Sequence, residues 1–262
     1  MGDVTERRRT LLESALRYDR VFVVGGIGLV TVASWAWIVA MSSDMYGSMR
    51  GASAWAMTAT WDAGHLLLLF LMWVVMMTAM MLPSASPTLL LYASVARAAD
   101  AARYPVRVYA LAAGYLAVWS LFSAAAALAQ RYLTASSIVS PMMVLADRRL
   151  GAALLTVVAV YQFTSLKRDC LAACRSPLAL ITRHWRPHTA GAFRMGLRYG
   201  LYCLGCCWAL MLLLFAGGVM NVFVIVALTS YVLIEKVAPW GIQASRTAGA
   251  ALAVVALLLL SL

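Results

Sequence analysis

The sequence predicts an all-α protein, a polytopic membrane bundle of about seven transmembrane helices. Three observations predict it. Hydrophobic residues make up 64% of the 262 residues and charged residues only 12%, against about 45–50% and 25% in soluble domains. Apolar runs long enough to cross a bilayer, about 17–25 residues, recur along the chain. The 21 lysines and arginines gather in alternate connecting segments. Mean hydropathy, +0.85, agrees. A soluble enzyme, a disordered chain and a disulfide-stapled secreted scaffold are excluded. The net charge of +11 then reads as topology rather than as a nucleic-acid surface, and no nucleic-acid partner is expected.

The elements follow in order. Residues 1–20 read as a cytoplasmic amphipathic segment: 3–20 form a short helix with a Thr10-to-Glu13 capping box, and Leu11, Leu12, Ala15 and Leu16 share its apolar face. The charged start has no signal-peptide core. The transmembrane domain, 21–262, contains candidate spans at 21–41, 64–82, 106–129, 149–166, 199–216, 219–235 and 246–262. Pro83 and Pro87 are expected to close the second. The fifth and sixth are cut from one apolar stretch at Gly217, Gly218 and Asn221, where a tight turn is cheapest. An N-terminus inside places 17 of the 21 basic residues on the cytoplasmic side, the sign expected of an inner (plasma) membrane protein.

Chemistry-bearing residues concentrate in a few segments. Met72, Met76, Met77, Met80 and Met81 form a thioether stripe on the second span, at helical spacing. Methionine packs irregular helix contacts, and thioethers also select Cu(I). Asp62 and His65 stand three apart at the outer end of that span: a cap beside an interfacial histidine, or a cation's point of admission. Cys170 and Cys174 follow the fourth span, and Cys203, Cys206 and Cys207 open the fifth, so all five cysteines reach the cytoplasmic ends of two spans. Glu235 and Lys236 end the sixth span at the same depth, where such groups snorkel or pair with each other. Arg183, Trp185 and Arg186 fit an interfacial belt. His184 and His188 extend Cys170-x3-Cys174 to a pattern near zinc-finger spacing.

On MMTAMMLPSASPTLLLYA, LKRDCLAACRSP, GLYCLGCCWALMLLLFAGGVMN and Glu235-Lys236 with Pro239 and Gly241, the sequence resembles a bacterial family of predicted metal-binding integral membrane proteins. The resemblance covers roughly residues 64–241. Some members are similar to the membrane accessory protein of a bacterial polyphenol oxidase, a copper enzyme. The resemblance therefore implies copper delivery, beside a small soluble partner or metalloprotein.

Three functions follow as expectations. The first is soft-metal handling, Cu(I) first and zinc second. Its ligands are Cys170, Cys174, Cys203 and Cys207, with Cys206 and Met80 or Met81 as alternates, Met76, His65, Asp62 and Glu235 as further candidates, and Lys167 and nearby arginines favouring thiolate. The second is a membrane thiol–disulfide enzyme, disfavoured by thiols facing a reducing compartment. The third is a non-catalytic subunit that docks a partner.

Overall fold

In a computed structural model the chain is a bundle of helices, with no strand among the described residues. The structure describes residues 2–47, 50–51, 54–55, 62–140 and 147–261, with side chains from residue 23 onward. The helices are α1 (Gly2–Met45), α2 (Ala63–Ala99), α3 (Tyr104–Ala135), α4 (Arg148–Gln162), α5 (Ser165–Cys174), α6 (Pro177–His184), α7 (Thr189–Gly217), α8 (Val222–Val237) and α9 (Gly241–Ser261). Five of them are long and apolar enough to cross a membrane: α1 over Val23–Met45, α2, α3, α7 and α9. The bent pair α4–α5 brings the number to six if it is one broken span. Large apolar side chains on the outside, such as Leu29, Leu121 and Phe223, are exposed, as they would be on helices facing lipid.

The first two elements differ from expectation. The amphipathic segment is no separate short helix, because α1 is helical from Gly2 to Met45 without a break. Its capping-box side chains lie outside the described residues. The second span does not stop at its prolines: α2 runs through Pro83 and Pro87 for 37 residues. Each proline deprives the carbonyl four residues earlier of its helical donor, and here each such carbonyl finds another. Trp35 Nε1 donates to Ala79 O at 3.1 Å, and Ser86 Oγ donates to Pro83 O at 2.7 Å. Side-chain donors that take over freed carbonyls are what let proline persist inside membrane helices.

The fourth span is also shorter than expected. It ends at Gln162, and α5 leaves it at 64°, with Thr164 capping the new helix by accepting from Lys167 N. That bend turns Cys170 and Cys174 back toward the bundle rather than away from it. The break between the fifth and sixth spans falls where the sequence places it. Gly218 adopts φ +94°, a backbone that side chains disfavour, and Asn221 caps α8 through Phe223 N and Val224 N. The resulting α8 has only 16 residues.

The centre of the molecule is the crossing of α3 and α7. A β-carbon on Gly114 would strike the Phe193 carbonyl, and one on Gly196 would strike that of Leu111. The two backbones approach closely because small residues face each other, the usual solution for helix contacts in lipid. Tyr115 and Tyr199 stack across this crossing with ring centroids 5.2 Å apart. Helix α2 is fastened to α3 by Trp73 Nε1 donating to Gln130 Oε1 at 2.6 Å. Helix α9 is fastened to α4 by Ser245 Oγ donating to Gln162 Oε1 at 3.0 Å.

Candidate metal centre

Five helices meet where α7 has just passed the α3 crossing. Helix α7 contributes Cys203, Cys206 and Cys207, all essentially inaccessible. Their sulfurs lie within 4.8 Å of one another, and Cys203 Sγ and Cys207 Sγ, one turn apart, stand 4.0 Å apart. Helix α5 contributes Cys174, whose Sγ is 3.9 Å from that of Cys206. With metal–sulfur bonds of about 2.3 Å, two sulfurs on one ion stand at most about 4.6 Å apart, so this grouping needs only small shifts to converge. All five cysteines are free.

The other three helices supply an ammonium and two hydroxyls. Lys236 of α8 is buried, and its Nζ donates to Cys203 Sγ at 3.0 Å and to Ser84 Oγ of α2 at 2.7 Å. The phenol of Tyr115 from α3 donates to the Met81 carbonyl at 3.1 Å and meets Cys203 Sγ at 3.1 Å. Cys203 thus accepts at its sulfur from an ammonium and is also in contact with a phenol oxygen.

Glu235 and Lys236 do not pair with each other, nor do they snorkel. Glu235 is fully buried and takes Lys167 of α5 instead, Nζ to Oε1 at 2.7 Å. Tyr231 donates to the same oxygen at 3.0 Å. Arg175 holds the turn beyond, donating to Glu235 O at 2.8 Å and to Pro239 O at 3.1 Å. Lys167 therefore neutralises a carboxylate, and the cation beside the sulfurs is Lys236.

The remaining sequence candidates are placed as follows. Cys170 is half-buried and packs against Gly205, outside the three-sulfur group, so Cys206 stands inside the cluster where the sequence ranks it an alternate. Met76, Met80 and Met81 are fully buried together with Met72 and Met77, and Met81 adjoins the cluster through the Tyr115 bond to its carbonyl. Asp62 and His65 lie at the N-terminal end of α2, roughly 28 Å along the helix axis from Met81 and Ser84 near its middle. There Asp62 caps the helix by accepting from His65 N at 2.7 Å. His184 contacts the Leu180 carbonyl at 3.3 Å, and among the described residues neither it nor His188 joins a group of metal-ligating side chains. The zinc-finger-like pattern is not assembled.

Two participants escaped sequence reasoning. Ser84 lies within the proline-bounded segment that reads as a helix stop, and Tyr115 sits in the middle of an otherwise featureless span. The one available signal was a hydroxyl at mid-helix in each.

The profile of one known protein family, PpoB2, described as a copper chaperone, matches this chain over residues 70–259. That region includes every residue of the cluster and of its charged surroundings. No curated protein and no solved structure matches the chain.

Proposed function

We propose a function from one premise: this chain belongs to the PpoB2 copper chaperone family. Its cargo is Cu(I), held at any moment by two thiolates drawn from Cys203, Cys206 and Cys207, with Cys174 as the exchanging fourth sulfur, and handed on to a copper protein such as an oxidase. The observation that carries this reading is the grouping of three buried cysteine sulfurs against a buried ammonium.

The charge inventory supports the ion's valence. Lys167 and Glu235 cancel, which leaves Lys236 as a positive charge inside an apolar bundle, where isolated charge is costly. Cu(I) between two thiolates carries a net charge of −1, and Lys236 balances it. Cu(I) is satisfied by two or three soft ligands, so a fourth sulfur nearby permits stepwise transfer. An incoming thiolate forms its bond while an outgoing one is released, and the ion is never bare. Seven crossings of the bacterial inner membrane, counting the bent α4–α5 pair and the short α8, with the N-terminus in the cytoplasm, would set the site near the inner face. The 17-to-4 distribution of basic residues supports that orientation.

The test is elemental analysis and Cu(I) titration of the full chain purified under reducing conditions. Copper that co-purifies and is lost in C203S/C207S is the expected result. Wild-type protein that neither carries nor takes up Cu(I) refutes the proposal. A second reading, thiol–disulfide exchange, is favoured by one observation, the 3.9 Å between Cys174 Sγ and Cys206 Sγ. Alkylation of protein from unreduced cells separates the two: five alkylated thiols leave copper transfer, while a protected Cys174–Cys206 pair selects redox chemistry.

A further inference from the structure

Apart from the sulfur cluster, the most strongly charged feature is a cavity at the start of α7. Its volume is about 380 Å³, and Arg183, Arg186, Arg194, Arg198, His184 and Trp185 line it. The local sequence forces the arginines together. Arg194 and Arg198 are one turn apart and face the same side of α7. Arg183 ends α6, and Arg186 lies against Gly191, where any β-carbon would collide with it. Among the described residues none of the four forms an ion pair. Trp185 closes one side, its ring 5.5 Å from that of Tyr92, so the cavity has an aromatic wall as well as a cationic one. All four guanidiniums reach solvent, so their mutual repulsion is screened, and an anion seated among them relieves what remains. Guanidinium groups offer paired donors that match the oxygens of phosphate.

We infer that this cavity binds a phosphate-bearing anion, either the headgroup of an anionic phospholipid or free phosphate. Arg198 precedes Cys203 by five residues, about 7–8 Å along the helix, so the site is separate from the sulfur cluster. The inference does not rest on copper binding. A basic pocket between helices at a membrane's cytoplasmic face, flanked by an aromatic pair, is the setting in which acidic headgroups are captured.

The experiment uses the full chain in neutral detergent. In one arm, native mass spectrometry follows phosphatidylglycerol against phosphatidylcholine; in the other, calorimetry follows inorganic phosphate. The expected result is at least a tenfold preference for phosphatidylglycerol, or saturable phosphate binding, reduced at least tenfold in R194Q/R198Q. The first outcome identifies lipid as the source and the second a soluble anion. R194K/R198K, which keeps charge and loses the forked donors, is expected to fall between. If R194Q/R198Q is misfolded by size-exclusion chromatography, R183Q/R186Q takes its place. No preference and no phosphate binding by the wild type, or undiminished binding by a folded glutamine variant, overturns the inference. So does binding of a polyglutamate peptide in place of both phosphate sources.

Discussion

Lys236→Met is the sharpest perturbation of the proposed copper site, because it keeps an unbranched side chain of nearly the same length and removes the ammonium. The ammonium stands 3.0 Å from Cys203 Sγ. Two unit charges at that separation attract by about 5–6 kcal/mol at an effective dielectric constant of about 20. The cost of burying the lysine is incurred with and without copper and cancels. In the copper-bound state the negative charge is shared over at least two sulfurs, so roughly half of the attraction falls on Cys203. What remains is about 2.5–3 kcal/mol, a loss of about a hundredfold in Cu(I) affinity. Competition with a chromogenic Cu(I) chelator, under reducing conditions, measures it. Ser84→Ala removes only the oxygen that steadies the ammonium and is expected to cost about tenfold, as a charged hydrogen bond does. Undiminished or tighter copper binding by K236M would refute the reasoning, since the lysine would then be a competitor for the sulfurs rather than the countercharge to the complex.

Further outcomes follow from the same geometry. Tyr115→Phe removes the hydroxyl shared by Met81 O and Cys203 Sγ; a loss of about 1 kcal/mol in thermal stability and weaker copper retention are expected. Glu235→Gln leaves Lys167 as an unpaired buried cation and is expected to destabilise the fold by about 3–5 kcal/mol, whereas K167M/E235L recovers most of it; a double-mutant cycle on unfolding measures both. Gly196→Leu forces α3 and α7 apart and is expected to cost at least the 1–3 kcal/mol typical of overpacking, with copper lost alongside folded protein in size-exclusion profiles. Asp62→Ala removes the cap of α2 at about 1 kcal/mol and is expected to leave the Cu(I) affinity of the cysteine cluster unchanged in the chelator assay.

Composition and hydropathy sufficed for an all-α bundle with several helices long and apolar enough to cross a membrane, since a chain this apolar must satisfy its backbone internally. They also sufficed for the turn at Gly218, which only a residue without a β-carbon occupies cheaply. The path of α2 was not legible. Proline stops a helix unless other donors reach the orphaned carbonyls, and here one donor, Trp35, comes from a different helix 44 residues away. The cysteines were legible as a group because helical spacing and shared depth both pointed at them. Their ranking was not, because the 64° bend between α4 and α5 decides that Cys174 turns inward to Cys206 while Cys170 does not join the three-sulfur group.

The same limit explains the charges. Glu235 and Lys236 are neighbours in sequence, and the simplest reading pairs them. Successive residues on a helix point about 100° apart, however, and at the end of α8 that angle separates two environments. One direction faces α5, where Lys167 meets the carboxylate; the other faces α2 and α7, where Ser84 and Cys203 meet the ammonium. A single turn of helix thus neutralises one buried charge and aims the other at sulfur. Because Lys167 already satisfies Glu235, Lys236 has no carboxylate to return to. An anion at the cysteines would complete the interior, and the proposed cuprous dithiolate is one that would supply it.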